Sequence, residues 1–150
     1  MMPPTHNPSA ALSTERVLAA SPQAVFAAFA RPDLLAQWWG PSGFTSTFER
    51  FEFTAGGRWV FVLHGPDGTD YPNESVFLAI QPDQKIVLEH VVGHWFILTV
   101  TLTARGDGTH LTWVQEFRSP DVAEKLRSVV VPANEQNLDR LQAVLASDAA

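Results

Sequence analysis

The chain has 150 residues, of which 45% are hydrophobic and 17% charged, with no cysteine and a formal net charge of −6. A single domain of that length buries roughly 70% of its unfolded surface and needs no disulfide or metal staple. Absent cysteines exclude disulfides, thiol catalysis and thiolate metal sites, and the acidic balance, with Lys85 and Lys125 the only lysines, argues against a nucleic-acid surface.

Residues 1–11 carry three prolines and no periodicity, so they are read as a flexible tail before one domain over 12–150. The first residues lack the basic and apolar regions of a signal peptide, and no apolar run reaches the roughly 20 residues that span a bilayer. A cytoplasmic protein is the expectation. Ser13 to Ala20 is compatible with a first strand. Ser21-Pro22 then supplies an N-cap and a first helical residue, and Val25, Phe26 and Phe29 follow at helical spacing. Arg31-Pro32-Asp33 ends that helix and starts a second, in which Leu34 and Leu35 stack over Trp38 and Trp39; Gly40-Pro41-Ser42-Gly43 stops it.

From Thr45 the period becomes two. Trp59, Phe61 and Leu63 share one strand face, and Tyr71 to Ile80 is predicted to place Glu74, Val76, Leu78 and Ile80 on one face. Ile86, Leu88 and His90 alternate, as do Phe96 to Leu102 and Leu111, Trp113, Gln115 and Phe117. Turns at Gly56-Gly57, Gly65 to Gly68, Gln81-Pro82-Asp83, Gly93 and Arg105 to Gly108 join consecutive strands, so the pairing is antiparallel. Ser119-Pro120 repeats the helix start. A helical period then runs to Leu145, with Leu126, Val130, Ala133, Leu141, Val144 and Leu145 on one face and a kink expected at Pro132. Facing apolar stripes that set bulky Trp59 and Trp113 against small Ala133 predict a cavity under this helix.

Several motifs occur in a telling order: Arg16, Ser21 to Phe26, Trp38-Trp39-Gly40-Pro41, Gly56-Gly57-Arg58-Trp59, Pro66-Asp67-Gly68, Gly108 to Thr112 and Asn137 to Leu141. Over residues 13–146 the chain closely resembles the activator of heat-shock-protein-90 ATPase homologue-like family, within the START and birch-pollen-allergen-like superfamily. The resemblance implies an α+β helix-grip fold. Its parts are a curved antiparallel sheet of six or seven strands, two short helices after the first strand, and a long C-terminal helix over the concave face. Members often enclose an apolar cavity between helix and sheet, and the family name comes from a domain of a eukaryotic co-chaperone. The family carries no shared catalytic motif.

Candidate ligand-binding residues therefore come from the residues themselves. Trp38, Trp39, Trp59, Phe61, Trp113 and Phe117 would form an aromatic wall, with Gln115 polar upon it, because pockets are lined this way. Asn134 and Asn137 fall in the apolar helix face beside Leu141. Either they grip a polar group of a ligand, or they bond neighbouring backbone or an ordered water. Glu74, beside Val76, is a cavity carboxylate if its strand face points inward, and a solvated or arginine-paired one if not. His90 is a proton carrier or a satisfied structural residue. His90 and His94 are separated by a glycine turn, and no metal-ligand pattern exists, so neither a metal nor another cofactor is predicted.

Three functions follow as expectations. The first is a protein that binds a small, mostly apolar or amphipathic molecule without chemistry. The second is a cyclase- or hydrolase-type enzyme using a cavity carboxylate or histidine. The third is a chaperone-interacting module acting through its outer surface. A homodimer is compatible with any of them.

Overall fold

The computed structural model describes residues 8–148. Its architecture is α+β: one curved sheet of seven strands with three helices on its concave side. In chain order these are β1 (Ala11–Leu18), α1 (Pro22–Ala30), α2 (Pro32–Trp38), β2 (Thr45–Phe51), β3 (Arg58–His64), β4 (Asp70–Gln81), β5 (Lys85–His90), β6 (Phe96–Arg105), β7 (Gly108–Phe117) and α3 (Pro120–Asp148). The sheet order is β1-β7-β6-β5-β4-β3-β2, with every pair antiparallel. Sequential hairpins build β2 to β7, while α1 and α2 carry the chain from one edge strand to the other.

The expected tail divides. Residues 1–7 lie outside the described residues, whereas Pro8–Ala10 form a short 3-10 turn in which Ala10 is fully buried. Ala11 already pairs with Glu116, so the domain starts earlier than the prolines suggest. Both Ser-Pro starts behave as N-caps: Ser21 Oγ accepts the amide of Ala24 and Ser119 Oγ accepts that of Val122, each at 3.2 Å. α3 runs as one helix through Pro132, which lies exposed on its solvent side.

α3 packs against β1, β7, α1 and α2. Arg16, reaching across from β1, holds it by donating to Glu135 at 2.9 Å and Asp139 at 2.6 Å. Two apolar clusters result. The larger joins α1, α2 and the second half of α3 (Leu138, Leu141, Leu145) to the sheet through Trp38, Trp59, Phe61 and Phe77. The smaller packs Ala123, in the first turn of α3, against Leu12 and Phe117, with Leu126 and Val130 alongside.

Candidate functional site

Between the clusters the side chains of α3 and the sheet leave space unfilled. The cavity left there has a volume of about 430 Å³, within the range of small-molecule sites. Phe61, Leu98 and Trp113 line it from the sheet, and Leu126, Val130 and Ala133 from the helix. Its mouth is rimmed by Tyr71 and Pro72 at the start of β4, Val92 to His94 after β5, and Val129 of α3, which is 69% exposed.

The polar lining comes from three places. The first is β4, where the predicted face is inverted. Asn73, Ser75 and Phe77 point inward, Ser75 being 2% exposed. Glu74 and Val76 lie on the outer face, and Glu74 pairs there with Arg58 of β3. The cause is a bulge: the β4–β5 register shifts between Phe77 and Ala79, and Leu78 is left exposed. One extra residue swaps the faces of a strand. The inward parity of Ile80, read back across the bulge, therefore assigned Glu74 to the wrong side. Glu74 is thus corrected from a cavity carboxylate to a member of an outer-face ion pair.

The second place is His90 on β5, directly opposite Ser75 in register. An oxygen sits at each ring nitrogen: the His94 carbonyl 2.9 Å from Nδ1 and Asn73 Oδ1 2.7 Å from Nε2. Asn73 is itself oriented, since its Nδ2 donates to the Tyr71 carbonyl at 2.9 Å. Burial holds the His90 pKa below the ordinary histidine value, outweighing the His94 carbonyl, which favours the charged ring. The ring also stacks on Phe96. His94 meets His90 through its backbone rather than its imidazole, so the two do not form a chelating pair.

The third place is α3. Asn134 Nδ2 donates to Gln115 Oε1 of β7 at 3.0 Å, joining helix and sheet across the cavity wall. Asn137, 6% exposed, divides its amide between two tasks. Oδ1 accepts the Gly40 N–H at 2.8 Å, while Nδ2 has no partner among the described residues. Gly40 follows the paired tryptophans and has φ 107°, a conformation that glycine tolerates and side chains rarely adopt. Arg140, one turn beyond Asn137, donates Nη1 to the Gly40 and Pro41 carbonyls at 2.9 and 3.0 Å and Nη2 to that of Gln37 at 3.1 Å. Gln136 accepts the Ser42 amide at 3.1 Å. The loop after α2 is thereby clamped to α3, and Trp39, Gly40 and Pro41 become part of the cavity wall.

Of the residues singled out in the sequence, Trp39, Phe61, His90, Trp113, Gln115, Asn134 and Asn137 meet at the cavity. Trp38, Trp59 and Leu141 do not. They are core residues, almost fully buried, with the Trp38 indole donating to the Ala28 carbonyl at 3.0 Å and Trp59 stacked on Phe61. Sequence reasoning missed Asn73, Ser75 and the loop clamp. The clamp had a signal, a glycine after two tryptophans together with an Asn and an Arg three residues apart on a helix.

These features define a helix-grip domain with an open, mostly apolar cavity. The model of the Activator of Hsp90 ATPase homolog 1-like protein family matches residues 19–146, and the chain belongs to that family. No curated protein matches it. Among solved structures, a protein from Nitrosomonas europaea superposes with a TM-score of 0.88 at 18% identity, covering 96% of this chain and 99% of that one. A protein from Arthrobacter aurescens gives 0.86 at 25% identity over 93% and 87%. A family protein from Silicibacter pomeroyi gives 0.76 at 23% over 93% and 99%. These likenesses establish the fold. Among the described residues no helix is long and apolar enough to cross a membrane.

Proposed function

We propose that the protein binds a small, mostly apolar molecule in the cavity between α3 and the sheet, acting in the cytoplasm as a binding or carrier protein. The observation that carries this reading is the cavity itself. Its walls are chiefly aromatic and aliphatic, with a few buried amides, the composition of small-molecule sites. Binding is favoured over catalysis because Glu74 faces outward and the His90 ring lies between two oxygens of the protein, Asn73 Oδ1 and the His94 carbonyl. We assign Trp39, Phe61, His90, Trp113, Gln115, Asn134 and Asn137 to the ligand wall.

Titration with the neutral fluorophore N-phenyl-1-naphthylamine tests this. Saturable one-to-one enhancement is expected, and Ala133→Trp, which fills the space, should abolish it. Enhancement that does not saturate, or that Ala133→Trp leaves intact, would refute the reading. Family membership favours a second reading, contact with a heat-shock-protein-90-type chaperone through the outer surface. Binding to the purified chaperone that is indifferent to Ala133→Trp would support it.

A further inference from the structure

We infer that the cavity takes an apolar molecule carrying a hydroxyl group, an alcohol or phenol, whose O–H donates to the Asn134 carboxamide and whose oxygen accepts from that of Gln115. The inference rests on the reading that the cavity binds a small molecule and specifies its chemistry. Both residues line the cavity, Asn134 from α3 and Gln115 from β7, and Gln115 is 8% exposed. The single bond between them, Asn134 Nδ2 to Gln115 Oε1 at 3.0 Å, uses one end of each amide. Asn134 Oδ1 and Gln115 Nε2 are left without a partner among the described residues. They are not shut in. The occluded side-chain polar atoms without a partner are Ser46 Oγ, Trp59 Nε1, Trp113 Nε1 and Asn137 Nδ2, and these two are not among them, so they open on the cavity. The pair therefore presents an acceptor and a donor together. Turning both amides end for end exchanges the roles and again leaves one of each.

A hydroxyl is the smallest group that answers both. It donates through its hydrogen and accepts through its oxygen, the same two bonds that water makes to such a pair. A ketone or ester satisfies Gln115 but sets a second acceptor against the Asn134 oxygen, and a carboxylate does the same with a buried charge added. The side chains around the pair are otherwise apolar or already spent. Trp113 and Phe117 flank Gln115 on the inward face of β7, Leu98 lies opposite it on β6, and Val130 and Ala133 adjoin Asn134 on α3. Asn137 Oδ1 is held by the Gly40 amide. The remaining polar lining, Asn73, Ser75 and His90, belongs to β4 and β5, on the far side of β6 and toward the mouth. The hydroxyl thus lies at the β7 wall, and the apolar body extends beneath α3 toward the mouth.

Three probes of nearly one shape test the inference: 1-(2-naphthyl)ethanol, 2-acetylnaphthalene and 2-isopropylnaphthalene, measured by calorimetry on the full chain. The alcohol should bind about tenfold more tightly than the ketone, one hydrogen bond to a buried acceptor being worth about that factor. Asn134→Leu combined with Gln115→Leu replaces both partners by apolar side chains, a change that is nearly neutral for stability. It should bring alcohol and ketone within about twofold of each other, while the hydrocarbon binds at least as well as before. The side-chain amide resonances of Asn134 and Gln115 in the unaltered protein give a measure that needs no variant; they should move further downfield with the alcohol than with the hydrocarbon. A ketone that matches the alcohol, a preference that survives the two substitutions, or resonances that move alike with alcohol and hydrocarbon would overturn the inference while leaving the cavity a binding site. Failure of all three probes to saturate would overturn both.

Discussion

The concave face is packed at one end and hollow at the other, although the sheet contributes large side chains to both. Around Trp59, the rings of Phe61, Phe48, Phe51 and Trp39 interlock at centroid distances of 4.3 to 5.9 Å. Above them sit α1, α2 and the leucines Leu138, Leu141 and Leu145. Around Trp113 and Gln115 the sheet is equally bulky, but the helix overhead offers Ala133, Asn134 and Asn137. The difference lies in the covering layer. Short side chains on α3 leave space that the sheet cannot fill, since interiors close only where opposing volumes match.

The largest test of this contrast is to truncate each end. Trp59→Ala should cost about 3–5 kcal/mol in urea unfolding, as for other buried aromatic deletions. Val129→Ala, at the rim, should cost less than about 0.5 kcal/mol; comparable losses would mean that the two ends are equally packed. Next in size is Asn137→Leu. It orphans the Gly40 amide in a buried setting, so stability should fall by about 1–3 kcal/mol, and an unchanged melt would show that the clamp rests on Arg140 alone. Third, Ala133→Phe should leave stability within about 1 kcal/mol while removing probe binding. A well-packed site would instead lose about 1–3 kcal/mol to overpacking.

The smallest effect is electrostatic. The folded-state pKa of His90 is lowered by burial, so below the ordinary histidine value of about 6.5 the unfolded chain binds the proton more readily. Stability attributable to His90 is retained above that pH and lost as the pH falls from it toward the folded-state pKa. Thermal melts of the wild type and His90→Phe should therefore diverge in slope below about pH 6.5, the wild type losing more. Parallel curves would mean that the His94 carbonyl and Asn73 offset the burial.

Most of the fold was legible because its signals are local. Ser21-Pro22 and Ser119-Pro120 mark helix starts whatever surrounds them, and the alternation of Phe96 to Leu102 needs only a half-buried sheet. The site was legible where it inherits those patterns, at Gln115 on β7 and Asn137 on α3. It was not legible where a long-range choice decides. Nothing near Trp38 or Trp59 says that their rings meet other side chains rather than empty space. The Asn137 amide was expected either to grip a ligand or to bond backbone. Its oxygen takes the backbone, and its nitrogen is left over.

The exposed Leu78 has a consequence for comparing relatives. Upstream of it β4 turns Asn73 and Ser75 to the cavity because the strand absorbs one extra residue there; a relative without that residue would keep the same faces in plain alternation, and one that kept the residue but lost the bulge would turn Glu74 and Val76 inward. At identities of 18% to 25%, such an insertion or deletion is easily spread across an alignment. Homologous positions on this strand are then not equivalent positions, and ligand preference can diverge by a frame-like slip in one strand rather than by substitution.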